Sequence, residues 1–501
     1  MEKKMLEAAL PALLELISWP GILYLTIGAL LGLLFGILPG LGGPQVLALL
    51  LPLTFTMDAA TALTLLIGAS GATAFGGSIT AILINTPGTA QNAATVYDGF
   101  PMTKQGKAGQ AIGAAAAASV LGAIFGAIIL TAILPVGRYL VLAFSYPEYF
   151  MMAVMGLAMI VVLSQGSLWK GIIAGGLGLM IAFIGYDPVS GAVRYTFGTD
   201  YLWDGIPLVT MLIGLFAIAE AISLWTKQGS IASKKVNTSL KGVFEGMGAV
   251  FKNFGLFIKS SIIGTIIGII PGVGGAVANF IAYGQAASTS KNPENFGKGD
   301  VRGVIAPESA NNAKDGGALV PTLIFGIPGS LEMAVLLGAL TIHGIQPGPR
   351  LMLDNPGITL TLIYALVLAN IIVGVVGILL ASPLARLTMI KSVFIAPVIL
   401  VLALVGSYAA DGRIQDVVAA ALFGLIGYAM IRHHFSRVAL VIAVVLGEMM
   451  QQSFHQTIEL LGYSGFFTRP ITLSFIIITI IILALPIIRR KRGTTDENLG
   501  A

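Results

Sequence analysis

Residues 111–134, AIGAAAAASVLGAIFGAIILTAIL, carry no charged side chain, and neither do residues 471–488, ITLSFIIITIIILALPII. At about 1.5 Å of rise per residue, a helix of either length reaches across most or all of the roughly 30 Å hydrocarbon core of a bilayer. Only 10% of the 501 residues are charged and 56% are hydrophobic, whereas a soluble domain carries about 25% charged residues. The fold class that follows is an all-α polytopic membrane protein of about 10–12 transmembrane helices.

Inside this apolar background the chain interrupts itself. Residues 36–45 read GILPGLGGPQ, with two prolines and four glycines, a poor composition for a helix interior. Residues 268–277, GIIPGVGGAV, repeat the pattern; the first eight positions agree at six, and both mismatches are swaps among Leu, Ile and Val. A second pair follows in the same order: GGSITAILINTPG at 76–88 and GGALVPTLIFGIPG at 316–329. The offsets, 232 from 36 to 268 and 240 from 76 to 316, mark an internal repeat. Inverted repeats with interrupted helices are common in secondary transporters, and that arrangement is the expectation here.

Candidate spans lie near residues 21–38, 108–134, 139–163, 170–186, 205–225, 255–270, 356–383, 391–409, 414–431 and 470–488. Shorter apolar pieces at 45–57, 59–74, 76–86, 276–287, 316–327, 331–342 and 437–449 cross only if joined through a break. Residues 1–20 read as a retained amphipathic helix, because Glu7, Pro11 and Glu15 interrupt any signal-peptide core. The expected organisation is a first transmembrane repeat at 21–225, a basic linker at 226–254, a second repeat at 255–488 and a basic tail at 489–501. Lys227, Lys234, Lys235, Lys241 and Lys252 in the linker, with Arg489, Arg490, Lys491 and Arg492 in the tail, place both on the cytoplasmic side. The membrane is then the inner membrane of a prokaryotic cell.

A helix that stops within the membrane leaves terminal N–H and C=O groups without partners, and these survive only in protein or beside a watery cavity. Helix N-termini suit an anion and unwound carbonyls suit a cation such as sodium. The four interruptions therefore read as half-helix ends gathered at a binding site. Polar side chains cluster around them. In the first half these are Gln45, Ser78, Thr80, Asn85, Thr86, Thr89, Gln91 and Asn92; in the second, Asn279, Gln285, Glu308, Ser309, Asn311, Asn312, Lys314, Asp315, Thr322 and Ser330. Two readings stay open for Lys314 and Asp315, a ligand-binding pair or a solvated helix start outside the membrane. Glu308 reads either as a cation or proton site or as a cap.

Other chemistry finds little support. Cysteine is absent, which removes thiolate and disulfide chemistry. There is no G-x-x-x-x-G-K-[ST] phosphate loop and no Ser/His/Asp constellation, and His433-His434 has no Cys or carboxylate at ligand spacing. The chain is read as a non-enzyme without cofactor, and without metal beyond a coupling sodium ion. The net charge of +5 fits cytoplasmic loops better than nucleic acid, since no basic segment interleaves with aromatics in a polar domain.

Four stretches carry a resemblance. GILPGLGGPQVLALLLPLTF (36–55), FGGSITAILINTPGTAQNAATVYDGFPM (75–102), GIIPGVGG (268–275) and APESANNAKDGGALVPTLIFGIPGS (306–330) resemble the large membrane subunit of the tripartite tricarboxylate transporter family, TctA type. The resemblance implies a translocating subunit that works with a small four-helix membrane subunit and a periplasmic solute-binding protein. It implies carboxylate substrates such as citrate and a sodium or proton gradient, with alternating access. The matched residues Pro39, Gly40, Gly42, Gly43, Asn85, Thr86, Pro87, Gly88, Pro271, Gly272, Gly274, Gly275, Glu308, Ser309, Asn311, Asn312, Pro328, Gly329 and Ser330 would line the sites. Helix-break physics divides them. Substrate falls to Gly40, Gly42, Gly43, Gln45, Ser78, Asn85, Thr86, Pro87, Gly88, Asn311, Asn312, Gly329 and Ser330, and the cation to Gly272, Gly274, Gly275, Asn279, Glu308 and Ser309. The second half has GIPG where the first has NTPG, which raises the expectation that the two hairpins bind different species. A passive anion channel, or a stand-alone carrier for another small anion, is the alternative.

Overall fold

The computed structural model describes the chain apart from residues 1, 39–40, 164–167, 188, 227–238, 272–273, 388–391 and 498–501. The first half holds α1 (Glu2–Ile17), α2 (Gly21–Ile37), α3 (Gly43–Leu50), α4 (Ala59–Ile84), α5 (Ala93–Lys104), α6 (Ala108–Ala143), α7 (Tyr146–Leu163), α8 (Leu168–Ala182), α9 (Leu208–Leu212) and α10 (Ala219–Thr226). A π-helical turn, Ile213–Ile218, joins the last two. The second half holds α11 (Leu240–Lys252), α12 (Phe254–Ile269), α13 (Gly274–Ser288), α14 (Arg302–Phe325), α15 (Leu331–Ile342), α16 (Pro349–Asp354), α17 (Pro356–Leu387), α18 (Ser392–Asp411), α19 (Ile414–Arg432), α20 (Arg437–Leu461), α21 (Gly465–Thr468) and α22 (Pro470–Glu497). Among the described residues, strand is confined to one antiparallel hairpin that pairs Gly185 with Arg194 and Tyr186 with Val193.

Among the described residues, six helical stretches are long and apolar enough to cross a membrane, or eight if each of two bent pairs is one span. The bends are alike: α1 meets α2 at 68° and α11 meets α12 at 77°. The repeat is also written in backbone angles. Leu38, which ends α2, and Ile270, which ends α12, are both extended, at φ −85° ψ 111° and φ −83° ψ 112°. The C-caps of α4 and α14, Asn85 and Gly326, are both left-handed, at φ 58° and φ 71°.

Two sequence expectations are corrected here. The pieces 59–74 and 76–86 form one continuous helix, α4, because Gly76 and Gly77 serve packing and not a break. The polar run 307–317 is likewise the interior of α14, where both Lys314 and Asp315 are buried, so neither belongs to a solvated helix start.

Glycine sets how closely these helices approach. On α2, Gly28, Gly32 and Gly36 recur every four residues, so they fall on one face. A Cβ at each would lie 2.2, 2.1 and 2.2 Å from the carbonyl oxygens of Leu65, Ala69 and Thr73 on α4. The second half repeats the contact: Gly264 and Gly268 of α12 would put a Cβ 2.2 and 2.3 Å from the Ala310 and Lys314 oxygens of α14. Small residues at such intervals let helix backbones touch where no hydrophobic force drives association in lipid. Gly32→Val is accordingly expected to lower stability by roughly 2 kcal/mol or more through overpacking. Gly248→Ala on α11, where a Cβ meets nothing within 4 Å, should be neutral or slightly stabilising. Thermal unfolding in detergent checks the pair, and equal melting temperatures for both variants would rule out the packing explanation.

The chain divides into two compact units, residues 1–138 with 209–428, and residues 139–208 with 429–501. In the second unit, buried Glu148 accepts from Arg469 Nε and Thr472 Oγ1, each at 2.6 Å, and from the Ser145 amide at 2.8 Å. There α8 packs on α20, with a Cβ at Gly178 reaching 2.3 Å from the Leu440 oxygen. The first unit holds both glycine-proline interruptions and both hairpin tips. Within it, buried Asp98 of α5 ties the loop that precedes α14. Its carboxylate accepts from the amides of Gly297, Gly299 and Asp300 at 3.0, 2.8 and 2.8 Å, and from the Tyr283 hydroxyl at 2.9 Å.

Candidate substrate and ion site

In the first unit two hairpin tips meet. The first tip leaves α4 at Asn85, passes Thr86–Gly88 and enters α5 through the short turn Ala90–Asn92; the second leaves α14 at Gly326 and enters α15 at Ser330. Each tip lies against its own long helix through a glycine. A Cβ on Gly88 would come 2.6 Å from Gly77 Cα, and one on Gly329 would come 2.7 Å from Ala318 Cα.

Where the tips converge there is a cavity of about 10 Å³, on the order of one water molecule. It is lined by Gly43 of α3, by Ser70, Thr73 and Ala74 of α4, by Thr89 and Gln91 of the first tip, by Lys314 and Asp315 of α14, and by Glu332 of α15. Lys314 Nζ donates to Asp315 Oδ1 at 2.6 Å, and both side chains are buried. Gln91 Nε2 donates to Glu332 Oε1 at 3.0 Å and so fastens one tip to the other. A Cβ on Gly43 would fall 2.7 Å from Glu332 Cγ. The first turn of α3 thus stands beside the cavity.

A second polar cluster lies farther along α14. Glu308, fully buried, accepts from Ser78 Oγ at 2.7 Å, Thr95 Oγ1 at 2.5 Å and Ser119 Oγ at 3.2 Å. Asn92 Nδ2 braces this cage by donating to Ser78 Oγ at 2.8 Å and to the Ala74 carbonyl at 2.9 Å. Between Glu308 and Asp315 stands Asn311, three residues beyond the first and four before the second, which puts the three on one helix face. Asn311 is buried with neither amide atom hydrogen-bonded, and the Oδ1 atoms of Asn279 and Asn312 and Oε1 of Gln45 are also unpaired. Buried polar groups normally have partners, so Asn311, whose amide has none, marks a place where water or a polar guest fits.

The expected residues fall into groups. Gly43 lines the cavity; Gly42 caps α3, and Gln45 sits one turn in. Ser78 and Glu308 meet directly. Gly275 faces Gln91, with a Cβ 2.8 Å from its Cδ, and Asn279 Nδ2 donates to the Gln91 carbonyl at 2.7 Å. Asn312 Nδ2 donates to Asn370 Oδ1 on α17. Ser330 Oγ caps α15 by accepting from the Met333 amide at 3.3 Å, and the Gly329 amide donates to Thr322 Oγ1 at 3.2 Å. Ser309 bonds to the Ile305 carbonyl of its own helix at 2.7 Å. Gly274 adopts φ 77° with nothing within 4 Å of an added Cβ. Thr86 Oγ1 donates to the Ile84 carbonyl at 3.3 Å, and Pro87 is half-buried. Pro39, Gly40 and Gly272 lie outside the described residues.

Asn85 is exposed, and its left-handed backbone matches that of Gly326. The difference between NTPG and GIPG therefore includes a backbone equivalence, since Asn is the non-glycine residue that most readily takes this cap position. Asn85→Gly should keep at least about half of transport activity, whereas Asn85→Val, β-branched at positive φ, should lose most of it through misfolding. A large loss in both variants, measured as uptake per folded protein, would instead assign the side chain a ligand's role.

Sequence reasoning overlooked Glu332, Ser70, Thr73, Thr95 and Ser119. The signal for Glu332 was available: it lies 241 residues after Gln91, the same offset that separates Gly88 from Gly329.

The profile of the Tripartite tricarboxylate transporter TctA family matches residues 22–442. An uncharacterized 52.8 kDa protein in the TAR-I ttuC' 3' region of Agrobacterium vitis is 32% identical over 477 residues, covering 94% of each chain. A second Agrobacterium vitis protein, from the TAR-II ttuC' 3' region, is 31% identical over 234 residues, 46% of this chain and 97% of the relative. No solved structure matches. With its long apolar helices and a family match over most of its length, the chain belongs to the Tripartite tricarboxylate transporter TctA family and is a multi-pass membrane component of such a transporter.

Proposed function

We propose that the chain is the translocating subunit of a binding-protein-dependent secondary transporter that imports di- and tricarboxylates such as citrate. The observation that best supports this reading is Lys314, a buried cation at a cavity between two repeated hairpin tips, with hydroxyls, an amide and the first turn of α3 around it. Carboxylates are recognised by just such donors. A substrate carboxylate would take over Lys314 from Asp315 as the Gln91–Glu332 bond opens, and the cavity would face each side in turn. The Glu308 cage, whose oxygens Ser78, Thr95 and Ser119 supply, is suited to the coupling sodium ion or proton, with Gly274, Gly275 and Asn279 nearer the cavity. A small four-helix subunit and a periplasmic solute-binding protein complete the system in the inner membrane, with the central loop and C-terminus cytoplasmic. The two repeats are inverted.

Uptake of labelled citrate and a carboxylate panel into proteoliposomes tests the reading, with both partner subunits present and sodium and proton gradients imposed separately. Saturable, gradient-driven uptake is expected. Linear, gradient-independent flux would replace the carrier with a passive channel, and absence of uptake for every carboxylate would dismiss the substrate class.

A further inference from the structure

Gln91 and Glu332 occupy the same place in the two repeats. Each faces the first-turn glycine of the other repeat's interrupted helix: Glu332 lies against Gly43 and Gln91 against Gly275. The two side chains then meet in the 3.0 Å bond between the tips. One geometry is thus built twice, with glutamine on one side and its acidic isostere on the other. Shape and reach do not require the acid, so what Glu332 adds is charge.

That charge falls where it opposes the anion. Asp315 and Glu332 set two carboxylates against one ammonium, Lys314, which lies within electrostatic reach of both. The elements that also pack on α15 offer nothing to balance them, since α3 and α4 contain no titratable side chain. Resting on the reading of this cavity as the carboxylate site, we propose that Glu332 is a specificity-determining residue that makes anion binding conditional on an alkali cation at its carboxylate. That cation is one beyond the ion the Glu308 cage would hold, and it enters because the site repels its substrate without it. A full negative charge about 6 Å away, at an effective dielectric of about 20, weakens anion affinity on the order of 100-fold. Gln91 gives the same hydrogen bond without that effect, so the asymmetry between the repeats is electrostatic.

The test uses the full chain in lipid nanodiscs, with wild type, Glu332→Gln and Gln91→Glu compared. Two readouts are taken: equilibrium binding of labelled citrate, and thermal unfolding. Each is measured at about pH 8 in choline and with sodium, potassium or lithium replacing choline. In wild type, an alkali cation should raise citrate affinity by about tenfold or more and raise the melting temperature. Glu332→Gln should bind citrate on the order of 100-fold more tightly than wild type in choline, with a response to the alkali cation of less than about twofold. Gln91→Glu should bind more weakly in choline and respond more steeply. Opposite shifts from two isosteric variants cannot both come from misfolding. A Glu332→Gln protein that keeps the wild-type response overturns the proposal, whether or not citrate binds. If no variant binds citrate but an alkali cation stabilises wild type and not Glu332→Gln, the charge assignment stands and the carboxylate reading falls.

Discussion

Lys314→Met is expected to abolish carboxylate uptake and to lower stability by about 3–5 kcal/mol, because it leaves the buried Asp315 carboxylate without its cation. The pair is 3% and 7% exposed, so solvent can do little to replace the lost ammonium. Removing both charges should separate the two effects. In Lys314→Met with Asp315→Asn the Asp315 charge is gone and only the Glu332 carboxylate stays unbalanced, so part of the lost stability should return. Uptake should not return if Lys314 anchors the substrate carboxylate as proposed. Melting temperature and citrate uptake of the single and double variants form the comparison. Wild-type uptake by the double variant would show that Lys314 serves folding alone.

Asp98→Ala should be the most damaging substitution away from the cavity. One carboxylate, fully buried, receives three backbone amides and a tyrosine hydroxyl, and alanine strands all four donors. The carboxylate is buried, but its donors sit on exposed or half-buried residues that water can reach, so the expected loss is about 1–3 kcal/mol. The loop entering α14 would lose its anchor, so the register of Glu308, Asn311 and Lys314 would suffer with it. Tyr283→Phe removes only one of the four bonds and should cost about 1 kcal/mol. Hydrogen exchange over residues 296–303 would locate the damage. Protection as strong as wild type in Asp98→Ala would show that the loop is held by other contacts.

The interruptions at 36–45 and 268–277 were legible because proline and glycine act locally: they end α2 and α12 with nearly identical extended residues, Leu38 and Ile270. The apolar pieces 59–74 and 76–86 looked separate, yet Gly76–Gly77 does not break α4. Whether a glycine breaks a helix or lets a neighbour approach depends on what lies opposite, here Leu33 and Asn92, and that is a tertiary fact. Lys314 and Asp315 posed the same difficulty. A run of polar residues reads as solvated unless partners such as Gln91, Glu332 and the α4 hydroxyls are known to surround it. Asn85, expected as a substrate ligand, is an exposed left-handed cap, a backbone role that the sequence did not reveal. Ser78 and Glu308 were both singled out, but their contact joins residues 230 apart, a pairing that no local pattern encodes.

The burial of α14 bears on how the chain is made. With Arg302, Glu308, Lys314 and Asp315 along its length, this helix is not among those apolar enough to cross a membrane by composition. On translocon insertion scales a central Asp or Lys costs about 2.5–3.5 kcal/mol, so residues 302–325 offered alone would be passed over as a soluble segment. Its route into the bilayer runs through α12, synthesised first and carrying Gly264 and Gly268, whose bare faces accept the Ala310 and Lys314 carbonyls. We expect α12 and α14 to enter the bilayer together, and a bulky residue at Gly264 or Gly268 to yield misthreaded protein marked for degradation.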